Sequence, residues 1–169
     1  VYGGFNEDDA VIASKASGER GLLHCSIFRH YTDRETYDAK TKTHEMFYNP
    51  KYRYDRAVAT HQNTKKTATE EPDLDYPDEL IPSENFNYDN LDKYGFIREG
   101  TYLDANHIVI GKYMMYDGED GSTKYKDLST RVTADGDNAV IDKVFTWTSN
   151  NENNRSVKIR TCQMMPPAV

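Results

Sequence analysis

Near the amino terminus, Gly4-Phe5-Asn6-Glu7-Asp8-Asp9-Ala10 sets three consecutive acids between a glycine-containing turn and the apolar Val11-Ile12. Carboxylates clustered this way are hard oxygen ligands. They suit Mg²⁺, which keeps several waters and takes one or two carboxylates beside phosphate oxygens. The matching chemistry is phosphoryl or nucleotidyl transfer, in which the ion neutralises charge on the phosphates. An exposed acidic turn ahead of a short helix has the same spelling. No phosphate-binding glycine loop, GxGxxG, HExxH or CxxC competes with it. The histidines, His24, His30, His44, His61 and His107, follow no metal-ligand spacing. Cys25 and Cys162 are too few for a zinc site or a disulfide framework. They read as reduced thiols on strands, which fits a reducing intracellular compartment.

The elements that must position the acidic turn are mostly strands. Residues 14–21 read as a short helix or turn, stopped by glycines. Residues 22–31 read as a strand with apolar positions on both faces, the pattern of a strand inside a sheet or barrel. Residues 45–49 form a strand ended by Pro50, and residues 91–100 a short helix and turn. A β-rich run over 107–116 is broken at Gly111, and 117–122 is a loop by composition. Two more strands, 139–148 and 156–164, flank an Asn-rich loop of hairpin length. The fold class is mostly β with short helices (α+β).

A length of 169 residues suits one domain, or a domain plus the edge of another. Hydrophobic residues reach only 37%, but 13 tyrosines let a core form from ring bodies whose hydroxyls stay wet. No apolar run approaches the ~20 residues that span a bilayer. The opening residues lack the basic and apolar regions of a signal peptide, so the chain is not expected to be secreted. They also lack an initiator Met, which implies a chain that begins inside a longer one. The net charge is −7, yet between Thr67 and Asp92 there are nine acids and no Lys or Arg. Outside that window 19 acids face 21 bases, so the net charge does not argue against nucleic-acid contact elsewhere. The window itself, with Pro72, Pro77 and Pro82, reads as an exposed loop or insertion.

The segment Gly4-Phe5-Asn6-Glu7-Asp8-Asp9-Ala10-Val11-Ile12, then Arg20-Gly21-Leu22 and Phe28-Arg29-His30-Tyr31, resembles a stretch of the second-largest subunit of multisubunit DNA-directed RNA polymerases. Collinear likenesses follow: Leu91-Asp92 with Gly95-Phe96-Ile97 and Gly100, Ile108-Val109-Ile110-Gly111-Lys112, Asp127-Leu128-Ser129-Thr130, Ala139-Val140-Ile141-Asp142-Lys143-Val144, and Val157-Lys158-Ile159-Arg160. Residues 32–90 match poorly. The details resemble eukaryotic, archaeal or large-DNA-virus enzymes rather than bacterial ones.

The resemblance implies that residues 1–25 are the edge of a hybrid-binding β-barrel region. Residues 26–165 would be the β-rich wall (flap in bacteria), carrying the acidic insertion at 67–92, and 166–169 would return to the hybrid-binding region. It implies template-directed RNA synthesis from ribonucleoside triphosphates, with this piece shaping the path of the DNA–RNA hybrid. Asp9 aligns with the family's acid near the second, nucleotide-borne Mg²⁺. Asp8 stands where the family has Glu, one methylene shorter, and Glu7 is placed to compensate. The implied partners are the largest subunit and other polymerase subunits, DNA template and hybrid, ribonucleoside triphosphates, and an initiation factor on the wall. The implied location is the nucleus, or a viral factory or virion, with no membrane. In isolation the piece is expected to be inert, because the family's three-aspartate magnesium site and its basic pair near the nucleotide lie elsewhere. Two other readings stay open: a non-catalytic β-rich module that binds a basic protein through its tyrosines and acidic loop, and a Mg²⁺-dependent hydrolase built on Asp8 and Asp9.

Overall fold

The computed structural model describes residues 9–51, 84–149 and 154–167. Among these, helix is confined to α1 (Lys15–Glu19), the helical residues Pro50 and Lys51, and a 3-10 turn at Ala134–Gly136. The strands are β1 (Cys25–Arg34), β2 (Thr36–Asp38), β3 (Thr43–Phe47), β4 (Ile108–Ile110), β5 (Lys112–Asp117), β6 (Thr123–Asp127), β7 (Thr130–Arg131), β8 (Val140–Thr148) and β9 (Arg155–Met165). The chain is mostly β, as its residue patterns lead one to expect.

Three antiparallel sheets form, with strand orders β1-β9-β8, β2-β3-β5-β6 and β4-β7. The long ladder runs from Cys25 opposite Met165 to Arg34 opposite Ser156. Its inner face contributes Tyr31, Ile141, Val157 and Ile159 to a core shared with Phe47, Phe96 and Leu103. β4 lies at the centre of that core: Ile108, Val109 and Ile110 are all buried, as a short unalternating apolar strand should be. A smaller cluster sets Tyr48 edge-on to Tyr113, ring centroids 4.7 Å apart, with Met46, Met115 and Tyr125 around them.

Gly111 breaks the β4–β5 run for a steric reason. The Tyr48 N–H donates to the Gly111 carbonyl at 3.0 Å, and the Gly111 N–H donates to the Gly95 carbonyl at 2.7 Å. A Cβ at Gly111 would stand 2.1 Å from the Tyr48 carbonyl oxygen, and one at Gly95 (φ +88°) would stand 2.5 Å from the same atom. Three backbones meet where no side chain fits.

Three expectations change. Residues 91–100 hold turns and isolated bridges, Leu91 to Ile97 and Phe96 to Ile110, rather than a short helix. The Asp92 carboxylate accepts the N–H groups of Tyr94 and Phe96 at 2.9 Å each, a local alternative that competes with helix formation. β1 is a sheet edge packed on one face only: it starts at Cys25, and Phe28 is 53% exposed. Finally, the end of the acidic window is anchored. Tyr88 and Leu91 are buried in the core, and the Tyr88 hydroxyl donates to Asp127 Oδ2 at 3.0 Å. Residues 67–83 of that window lie outside the described residues.

Candidate functional site

Of the acidic turn, Asp8 and Glu7 lie outside the described residues, and Asp9 is exposed in a turn. After it Ala10 forms a β-bridge, Val11 and Ile12 are 82% and 60% exposed, and α1 buries none of its residues. A five-residue helix is too short to persist by propensity alone. Its Lys15–Glu19 pair, 3.9 Å apart and well exposed, adds little. Gly21 (φ +98°) and Leu23 (φ +61°) then turn the chain into β1. The β1–β9 ladder starts 16 residues after Asp9, at Cys25.

Among the described residues no three His, Cys, Asp or Glu side chains converge as a metal site. Among the described residues the turn offers one exposed carboxylate, that of Asp9, which by itself does not make a resident ion site. It fits an ion that brings its own oxygen ligands, as Mg²⁺ does on a triphosphate. His107, the buried histidine, is structural: its Nδ1 accepts the Asp104 N–H at 3.0 Å. Cys25 and Cys162 are unbonded and lie on β1 and β9, as expected of reduced thiols on strands.

The concentrated electrostatics lie elsewhere, at the junction of β1, β3, β5 and β9. Arg155 Nη2 donates to Glu35 Oε1 at 2.5 Å, and its Nε reaches both Glu35 oxygens. The N–H of Phe47 also donates to Glu35, at 3.0 Å. Burial pushes the Glu35 carboxyl up, but these donors together hold it below its usual value. Lys112, itself buried, bridges Asp33 at 2.8 Å and Glu45 at 2.6 Å. Burial likewise raises Glu45, and Lys112, Thr36 and Arg34 lower it by more. These groups tie four strands into one unit rather than face a substrate. No local signal marks them, because Glu35 and Arg155 are 120 positions apart.

A family model described as RNA polymerase Rpb2, domain 6, matches residues 1–169. The chain belongs to that family. It is 25% identical over 166 residues to the DNA-directed RNA polymerase II subunit RPB2 of Encephalitozoon cuniculi, covering 95% of this chain and 12% of that one. It is 27% identical over 166 residues to the subunit of the same name from Schizosaccharomyces pombe, covering 94% of this chain and 11% of that one. The chain thus spans about an eighth of the length of these curated relatives. As an Rpb2 domain it is part of a DNA-directed RNA polymerase second subunit.

Proposed function

We propose that this Rpb2 domain serves template-directed RNA synthesis as the wall and an adjoining edge of the hybrid-binding region. Residues 1–25 form that edge, 26–165 the wall, and 166–169 the return. The carrying observation is the ladder that seats Cys25 against Met165, so that the β-rich body leaves and rejoins its neighbours at one point. Such a body, held at its base, shapes the path of a hybrid by obstruction and offers its outer surfaces to other proteins, an initiation factor among them. The proposed partners are the other polymerase subunits, the DNA template and hybrid, and ribonucleoside triphosphates, in a nucleus or viral factory.

In this reading Asp9 would help position the Mg²⁺ that arrives with the triphosphate, and Asp8 would tune the local field. When bound, that ion neutralises charge on the phosphates during nucleotidyl transfer. Asp9 supplies a fixed negative charge and hydrogen-bond acceptors for the ion's waters. It carries no proton and forms no covalent bond.

The test has two arms. A polymerase assembled on the full-length subunit that carries this chain makes RNA from a template, whereas the isolated 169-residue chain incorporates no nucleotide. Incorporation by the isolated chain, or no loss of synthesis when 26–164 are replaced by a short linker, would overturn the reading.

A further inference from the structure

Directly opposed residues on antiparallel strands share a face, and the register of the β1-β9-β8 sheet sorts its side chains in two. Tyr31, Ile159 and Val144 face the core. Phe28, Phe145 and Trp147 stand on the other face and are 53%, 46% and 48% exposed. Between them lie Arg34, Lys143, Lys158 and Arg160. Single exposed aromatics are ordinary, but two at i and i+2 on one strand face, Phe145 and Trp147, beside a row of cations mark an interaction surface.

The charges on this face select its partner. Its carboxylates are already in use: Asp142 accepts Arg160 Nε at 2.5 Å, and Glu99 lies 3.5 Å from Lys143. Lys158, exposed in the middle of β9, makes no ion pair among the described residues. We infer that this face docks a polypeptide segment whose acidic residues alternate with apolar ones, the carboxylates meeting Lys158 and the apolar groups covering Phe145 and Trp147. This deepens the docking role proposed above and rests on it.

A nucleic-acid strand fits less well. The Arg160 guanidinium already lies 5.6 Å from the Phe28 ring centroid, which takes one of the three rings of this face from base stacking. A peptide needs no free ring face, and its side chains match a surface that mixes aromatic and aliphatic groups, Val140 and Met164 included.

Trp147 is the chain's one tryptophan and reports on this face directly. The probe is a synthetic peptide alternating Asp and Glu with Leu and Phe, titrated into the 169-residue chain while Trp147 emission is followed. The expected result is a saturable blue shift that weakens with added salt. Lys158→Glu should weaken binding about 10-fold at unchanged circular dichroism. Should that variant lose structure, Lys158→Gln decides, with a loss of about 3-fold. No saturable shift, an equal response to the same peptide with Lys in place of its acids, or tighter binding of oligouridylate would overturn the inference. That failure is separable from failure of the polymerase reading, which RNA synthesis by the assembled enzyme reports.

Discussion

Cys25 and Met165 stand directly opposite each other at the base of the β1–β9 ladder, although they are 140 positions apart in sequence. The Cys25 thiol points toward the Met165 carbonyl oxygen, 3.9 Å away. Everything between them is therefore a closed loop with a single base, and the order of that base governs the whole body.

This geometry predicts a cross-link. In a Cys162→Ser background, Met165→Cys should form a disulfide with Cys25 under mild oxidation, since directly paired strand positions lie within disulfide reach. Closing so long a loop should stabilise the chain by about 2–4 kcal/mol. Thiol titration and the urea midpoint, with and without reductant, check it. Free thiols after oxidation would show that the base of the ladder is open.

The glycines predict a graded series. Gly111→Ala should cost about 3 kcal/mol, because the new Cβ meets a backbone oxygen that cannot swing away. Gly100→Ala, at φ +80° with nothing within 4 Å, should cost only about 1 kcal/mol of backbone strain. Gly18→Ala, in α1 with open space around it, should be neutral or stabilising by up to about 1 kcal/mol. Denaturant midpoints of the three variants should fall in that order. A neutral Gly111→Ala would mean that Tyr48, Gly95 and Gly111 do not meet as described.

Acid should unfasten the strand junction. Glu35 and Glu45 both sit below their ordinary value of 4.5, so the unfolded chain binds these protons first as pH falls. Their contribution is complete above that ordinary value and is lost as pH drops through the lowered folded values. Glu35→Gln should cost about 2–3 kcal/mol at pH 7, tempered because the Arg155 side chain is 32% exposed. As pH falls through its lowered folded value the cost should shrink. Unfolding free energies measured from pH 7 to pH 3 decide the matter, and a pH-independent cost would show that the Glu35 charge is not what matters.

The legible parts of the sequence were those decided locally. The apolar run before Gly111 announced β4 and β5, and the apolar residues after Ala139 and Ser156 announced the β8–β9 hairpin. What stayed hidden was decided by distant groups. Leu91-Asp92-Lys93-Tyr94 has helical composition, yet the Asp92 carboxylate and the contact of Gly95 with Tyr48 set a turn instead. Tyr88 and Leu91 sit among acids but are held by Asp127 and the core, which no window of composition registers. The ionic junction needed Glu35 to meet Arg155 across the length of the domain. For the site, it is the family resemblance that singles out Asp9 in the acidic turn, and the structure places it exposed in a turn 16 residues before β1.

The last prediction concerns Asp9 in the complete polymerase. Its proposed task is to meet an ion that arrives with substrate, so its charge matters chiefly while triphosphate is bound. Asp9→Ala should slow nucleotide addition by about 10–1000-fold, roughly 1.4–4 kcal/mol of barrier. Binding of the template should change little, because that depends on basic groups meeting phosphates along a channel. Asp8→Ala should cost less. The defect of Asp9→Ala should also shrink as Mg²⁺ is raised, since mass action partly replaces a lost contact. A resident metal site would behave differently: removing one of several fixed ligands would lower occupancy before any nucleotide binds. The described residues offer no such convergent set, which is why the Mg²⁺ titration discriminates. Single-nucleotide extension on a preassembled hybrid, run with wild type, Asp8→Ala and Asp9→Ala, provides the measurement. Wild-type rates for Asp9→Ala at low Mg²⁺ would return Glu7-Asp8-Asp9 to a solvated acidic turn.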